Sequence, residues 1–371
     1  SMSSNPTYDF QINQFDRRWT LGGYADYQLI DEDTLQVTLG GDFRYDDIGS
    51  VGLDQFDAGR FVASISDNAI KEGSLGLFLD AVWHVTDKLR LMGGLRGDHY
   101  DFDVTAKNLQ SFAGRDSTNR ASPKAGLAYA ANAHLELYGN WGKGFHSNDA
   151  RGVVGTLAPV PGLSGGTGYE SGARVTIGDL RLTAAYWWLN QDSELIFIGD
   201  SNSVEPKGGS RRRGAELTVF WQPQDWLGID AVWAQSRARF TDNPEGRYVE
   251  GAVEQTGQLG ITLTRETWDA SVRMRYLGPY ALLADNSERA DSLTTVNLRG
   301  ARHWGSLTLY AELINLLDTN GKEIAYDYPA YVDGFDPPGL TSEDIDCAQT
   351  DCRMSRATEP RAIRVGVGYK F

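Results

Sequence analysis

The sequence lacks any long hydrophobic run. No stretch of its 371 residues approaches the roughly 18 apolar residues that a membrane-spanning helix requires. That excludes a helical anchor within the chain and leaves open a β-barrel, whose lipid face is spread over alternate residues. Cysteine is scarce: Cys347 and Cys352 are the two present, separated by four residues in DCAQTDC. The spacing fits neither a CxxC redox pair nor a lone zinc site; it reads as a small loop disulfide in an oxidising compartment, with two unrelated free thiols as the alternative. Positive charge is in deficit, 35 Lys and Arg against 50 Asp and Glu, a net charge of −15. Nucleic acid is therefore excluded as a partner. Histidine is sparse and dispersed, at positions 84, 99, 134, 146 and 303, and neither an HExxH nor a Walker motif occurs.

Glycine and aromatics are what the chain does have: 42 Gly, 17 Tyr, 14 Phe and 10 Trp, against 4 Met. This composition suits strands better than helices. The order of residues agrees. In LGLFLDAVW the alternate positions are Leu75, Leu77, Leu79, Ala81 and Trp83. In AELTVFW they are Ala215, Leu217, Val219 and Trp221, set against Glu216, Thr218 and Phe220. The chain ends in the same way, with Ile363, Val365, Val367, Tyr369 and Phe371 alternating with Arg364, Gly366, Gly368 and Lys370. Successive side chains of a strand point to opposite faces, so each segment has one apolar face. The other face carries Asp80, Arg90, Arg96, Asp98, Glu136, Glu216, Asp230, Arg273 and Glu312.

Connections of two kinds alternate strictly. Short ones fall at 31–33, 86–88, 131–132, 178–179, 222–225, 265–267 and 303–305. Long ones fall at about 47–69, 105–118, 147–167, 193–210, 241–252, 280–290 and 318–358. An up-and-down meander with all its short turns at one end gives this pattern, as in outer-membrane barrels with short periplasmic turns and long extracellular loops. Periodic spans of roughly 12–16 residues exceed the 5–6 typical of soluble sheets and suit strands that cross a bilayer. The fold class expected is thus all-β: an antiparallel, up-and-down transmembrane β-barrel. Counted back from Phe371, it has about fifteen strands in this chain, the first over 15–30. Residues 1–14 read as a tag remnant and partial extracellular loop, with Ser1-Met2 as the scar. Residues 15–371 read as the C-terminal portion of a barrel whose natural N-terminal part is missing.

Several segments together carry a family resemblance: SPKAGLAYAANAHLELYGNWGKGFHSNDARG (122–152), GLRGDHYDFDV (94–104), GYESGAR (168–174), RRRGAELTVFWQPQDWLGIDAVWAQSRARF (211–240), AELINLLDTN (311–320) and the terminal EPRAIRVGVGYKF. As an ordered set they resemble the barrel of TonB-dependent outer-membrane receptors. The resemblance implies a parent with a roughly 22-stranded, plug-filled barrel. Such a receptor takes up a scarce ligand such as a ferric siderophore and is energised by the TonB complex through the plug. The plug and the TonB box are absent from this sequence, so energised transport is expected of the parent. The partners implied are the lipid bilayer, lipopolysaccharide, the TonB complex, the barrel-assembly machinery and the ligand; no cofactor is implied. In proteins of this kind a C-terminal strand ending in an aromatic, here Tyr369 and Phe371, is the barrel-assembly signal.

Candidate contacts lie where strands meet long loops. In GFHSNDARG these are His146, Asn148, Asp149 and Arg151, which either touch ligand at the mouth or anchor the loop by hydrogen bonds. Arg211, Arg212 and Arg213 could collect an anionic ferric chelate or pair with lipopolysaccharide phosphates or acidic loops. Tyr326, Tyr328 and Tyr331 could grip a siderophore or haem, or simply pack the longest loop. Two other classes compete. A passive porin-like channel requires a smaller closed barrel. An outer-membrane hydrolase requires a histidine beside a Ser or carboxylate at the rim, where only His146 is placed and no partner is evident.

Overall fold

The computed structural model describes residues 2–5, 10–57, 59–109, 111, 113–155, 159–198, 203–327 and 353–371. The first half of the chain forms β1 (Met2–Asn5), β2 (Phe10–Asp31), β3 (Leu35–Asp57), β4 (Arg60–His84), β5 (Leu89–Ala106), β6 (Gly114–Asn132) and β7 (Leu135–Ser147), followed by the one-turn helix α1 (Ala150–Val153). Next come β8 (Leu163–Ile177), β9 (Leu180–Gln191), β10 (Glu194–Ile198), β11 (Ser203–Lys207), β12 (Ser210–Gln224), β13 (Leu227–Phe240), β14 (Gln255–Arg265) and β15 (Trp268–Leu277). The last are β16 (Tyr280–Ala281), β17 (Arg289–Ala290), β18 (Leu293–Trp304), β19 (Leu307–Ile314), β20 (Lys322–Asp327), β21 (Arg353–Ala357) and β22 (Ala362–Tyr369).

Sixteen of these strands form one antiparallel sheet, each beside its neighbour along the chain, and three two-stranded hairpins, β10–β11, β16–β17 and β20–β21, project from the long connections. Fifteen of the sixteen are the long strands the alternation predicts. The sixteenth, β1, pairs with Phe10–Asn13 of β2. The first long strand therefore begins at Phe10, and residues 2–5 and 10–14 are strand where the sequence reading expected loop. A second correction concerns 47–69. Its residues 47–57 and 60–69 are not loop but the continuation of β3 and β4, which pair to their tips as far as Asp57 and Arg60. Polar and apolar residues mix on both faces of that extension, and register shifts at Ile48/Val51, Leu53/Asp54 and Gln55/Phe56 break the alternation, so the period-2 signal fades there.

Register assembles the apolar alternation into belts. Ile177, Leu180, Trp221, Ile229, Ile261, Val272, Leu298, Leu313 and Ile363 pair in turn across nine consecutive strands of the sheet. These side chains stand on the exposed outer face, as do Leu75, Leu77, Leu79, Trp83, Val365 and Val367. At about 25 cal/mol per Å², a continuous belt of this size would be strongly unfavourable in water and favourable in hydrocarbon. The outer face is thus a lipid face. At the end of the chain, Tyr369 pairs with Leu307 and the Lys370 N–H donates to the Ser306 carbonyl, so the terminus is tied into the sheet.

Candidate functional site

The inner face carries many charges, most of which meet a counter-charge or a polar partner on the same or a nearby strand. Asp230 on β13 and Arg273 on β15 meet at 2.6 Å over Gly260 of β14, which pairs with both. Asp80 and Lys124 meet at 2.9 Å over Gly94, which likewise pairs with both. Arg96 reaches Asp42 at 2.6 Å and Asp98 at 2.6 Å across Gly76. A Cβ at Gly260 would lie 2.0 Å from an Arg273 guanidinium nitrogen, and one at Gly76 only 1.9 Å from Arg96. The missing side chain is what lets an ion pair bridge two strands. Further round the wall, Glu136 receives Arg174 at 2.6 Å, Glu216 accepts from the Trp187 indole at 2.8 Å, and Arg299 joins Asp269 at 2.6 Å. The nine charged residues that the sequence places opposite the apolar face all take part in such contacts.

At the long-loop end the wall turns apolar, and a loop explains why. Pairing of β6 with β7 stops at Lys124 and Gly142. Beyond that point the β7–β8 hairpin leans against the inner side of its neighbours. Phe145 meets Tyr100 edge-on at 5.9 Å, and a Cβ on Gly162 would touch Phe102 at 2.8 Å. Ala150 and Val153 of α1, with Val160, pack against Ile48, Ile70, Phe102 and Val104. The loop between β7 and β8 thus lies inside the mouth.

The candidates of GFHSNDARG divide by role. Asn148 is buried; its amide donates to the Pro161 carbonyl at 2.6 Å and its backbone N–H to Gly162 at 3.0 Å, which closes the loop. Asp149 caps α1, accepting the Arg151 N–H at 2.9 Å and the guanidinium at 2.7 Å. Burial pushes the Asp149 carboxyl up, but the Arg151 side chain and N–H outweigh it and hold it below the ordinary carboxylate range. Asn148, Asp149 and Arg151 anchor the loop. His146 is exposed, has no hydrogen-bond partner among the described residues, and lines a cavity of about 560 Å³ with Glu170, Trp187 and Gln191.

The arginine triplet is split by strand alternation. Arg212 turns inward and pairs with Glu194 at 2.6 Å, while Arg211 and Arg213 turn outward. The three cannot converge on one chelate within the barrel. Tyr326 sits exposed on β20, and Tyr328, Tyr331, Cys347 and Cys352 lie outside the described residues. Sequence reasoning missed one match: residues 162–166, GLSGG, fit the G-x-S-x-G pattern of hydrolase nucleophile elbows. Ser164 is 2% exposed within β8 and donates to the Ser193 carbonyl at 2.9 Å. It is not on the sharp strand-to-helix turn that exposes a nucleophile.

A sheet of long antiparallel strands, greasy outside, charged within and looped at one end, defines the wall of an outer-membrane barrel. The family model for the TonB dependent receptor-like β-barrel matches residues 2–316, and the chain belongs to that family. Among curated relatives, the metal-pseudopaline receptor CntO of Pseudomonas aeruginosa is 26% identical over 261 residues, which cover 65% of this chain and 36% of that protein. Among solved structures, the ferric yersiniabactin uptake receptor FyuA of Yersinia pestis superposes with a TM-score of 0.77 at 16% identity, covering 98% of this chain and 56% of that one. The copper transporter OprC gives 0.73 at 16% identity, with 98% and 57% covered. The chain therefore spans little more than half the length of these structures and about a third of the curated relative. Its place is the outer membrane of a Gram-negative bacterium, as an integral β-barrel.

Proposed function

We propose that this chain is the barrel part of a receptor that captures a scarce metal chelate, such as a ferric siderophore, at its extracellular mouth and passes it inward with energy from the TonB complex. The observation that carries this reading is the wall itself: a charged, largely ion-paired lining beneath an inward-folded β7–β8 loop, which suits a wet conduit around a ligand and a plug. The relatives' names supply the cargo class, since they concern metal-pseudopaline, ferric yersiniabactin and copper. His146, facing the cavity between β7, β8 and β9, is the side chain we assign to ligand contact. Binding and transport, rather than catalysis, is the activity. The outer-membrane assembly machinery, reading Tyr369 and Phe371, and lipopolysaccharide complete the partners.

The porin-like alternative is less well supported. Among the described residues β22 pairs only with β19 and β1 only with β2, so the sheet does not close into a smaller barrel. Uptake of a radiolabelled ferric siderophore by cells carrying the intact receptor tests the proposal. Accumulation that vanishes without TonB or with a protonophore is expected. Ohmic conductance in planar bilayers, with uptake indifferent to TonB, would contradict it.

A further inference from the structure

Two rows of outward-facing side chains cross β9, β12 and β13 at the outer rim. In the lower row Trp188 pairs with Arg213 and Arg213 with Arg237; in the upper row Asn190 pairs with Arg211 and Arg211 with Arg239. Each row thus sets two arginines directly opposite one another. Like charges at opposed positions of an antiparallel pair are destabilising. They are also out of character in a chain of net charge −15. Arg213 and Arg237 are exposed and have no partner among the described residues. Carboxylates on the flanking segments are already engaged: Asp192 with Arg120 at 3.3 Å, and Glu254 with Arg239 at 3.1 Å and Arg289 at 3.0 Å.

The patch is held ready. Asn190 Oδ1 accepts from the Trp188 indole at 2.9 Å and from Arg211 Nε at 3.3 Å, which keeps the Arg211 guanidinium 5.5 Å from the centre of the Trp188 ring. Arg239 stacks on Tyr248 at 3.8 Å. Height places the patch as well. Arg213 stands eight residues up β12 from Trp221 on the same face. At ~3.3 Å per residue and a tilt of ~40° this is about 20 Å along the membrane normal, and Arg211 is about 5 Å higher. An outer-membrane apolar band is about 25 Å tall. The guanidinium groups therefore emerge where hydrocarbon gives way to headgroups, beside the aromatic side chains Tyr186 and Trp188.

We propose that Arg211, Arg213 and Arg237 form a binding site for the phosphate groups of an outer-leaflet lipid, a phosphorylated lipid A headgroup, on the β9–β12–β13 wall. Planar guanidinium groups take phosphate oxygens two at a time, and a dianion set between opposed arginines converts their repulsion into attraction. The proposal gives the lipopolysaccharide contact named above a specific location. It does not depend on which ligand the receptor carries.

The test uses the intact receptor purified in neutral detergent, with thermal unfolding followed by circular dichroism. Bisphosphorylated lipid A, dephosphorylated lipid A and inorganic phosphate are each added to the wild type, to Arg213→Gln/Arg237→Gln and to Arg213→Lys/Arg237→Lys. Bisphosphorylated lipid A is expected to raise the wild-type midpoint by about 5 °C, a shift that dephosphorylated lipid and inorganic phosphate do not reproduce. The Gln pair is expected to lose most of that shift, with apparent affinity reduced about tenfold, while the Lys pair retains part of it. Without lipid, the Gln pair should unfold no lower than wild type, because a repulsion has been removed. The proposal is overturned if the Gln pair keeps the lipid-induced shift, if inorganic phosphate reproduces it, or if the Gln pair is destabilised without lipid.

Discussion

Asp230 and Arg273 form an ion pair although their strands do not touch: β14 runs between them, and the pair closes at 2.6 Å over Gly260. A larger residue at 260 must push the bridge apart. Gly260→Val should destabilise the barrel by about 1 kcal/mol more in the wild type than in an Asp230→Ala/Arg273→Ala background. Urea unfolding in detergent micelles reads the difference. Equal costs in the two backgrounds would mean that the glycine serves the backbone and not the bridge.

Asn148 is a loop anchor with two bonds, to Pro161 and to Gly162. Asn148→Ala removes the hydrogen bond that the buried amide donates to the Pro161 carbonyl, at a cost of about 0.5–1.5 kcal/mol. Release of the β7–β8 loop is the expected outcome, seen as faster proteolytic cutting within 148–162 with unchanged strand content by circular dichroism.

The Asp149–Arg151 contact should also give the loop a pH dependence. The folded-state pKa of Asp149 lies below its ordinary value, so the stabilisation is present above the unfolded carboxyl pKa and is lost as pH falls through the lower folded value. Hydrogen-exchange protection over residues 149–154, corrected for the intrinsic rate at each pH, should be full at neutral pH and fall as pH drops below the ordinary carboxylate range. Asp149→Asn should remove that acid-dependent step, while a similar step in the variant would assign it to another group.

Phe371 follows the last strand and meets Tyr369 edge-on at 5.2 Å. Phe371→Ala should lower the amount of folded receptor in the outer membrane with little effect on synthesis, read by heat-modifiable mobility on gels. The side chain is fully exposed, so its packing contributes little to the stability of a barrel once formed.

Much of this architecture is legible in the sequence because lipid and lumen impose opposite demands on alternate residues. The strands, the alternation of turn lengths and the split between an apolar and a charged face all follow from that one periodicity. It fails where the constraint lapses. Above the membrane neither face of β3 or β4 meets lipid and register shifts break the alternation, so residues 47–57 and 60–69 read as loop although they are strand. The outward turn of Arg211 and Arg213 could have been found by counting in twos from Leu217; composition alone groups the triplet as a single site. The leaning of the β7–β8 hairpin into the mouth had a fainter signal, the apolar Phe102 and Val104 on an otherwise charged face. The glycine-spanned ion pairs had no signal in single strands, because they depend on register across three.

The two-faced wall is the central claim, and site-directed spin labelling tests it most directly. In the intact receptor, reconstituted in phospholipid vesicles with Cys347→Ser and Cys352→Ser, nitroxides would be placed one at a time along β19 and β22. Labels at Leu309, Val365 and Val367 should relax strongly with oxygen, which concentrates in lipid. Labels at Thr308, Glu312 and Arg364 should respond to a water-soluble nickel chelate. A period of two in that contrast, with the apolar set in the lipid phase, is the predicted result. Equal accessibility of the two sets, or the reverse phase, would contradict the barrel orientation and the receptor reading built on it.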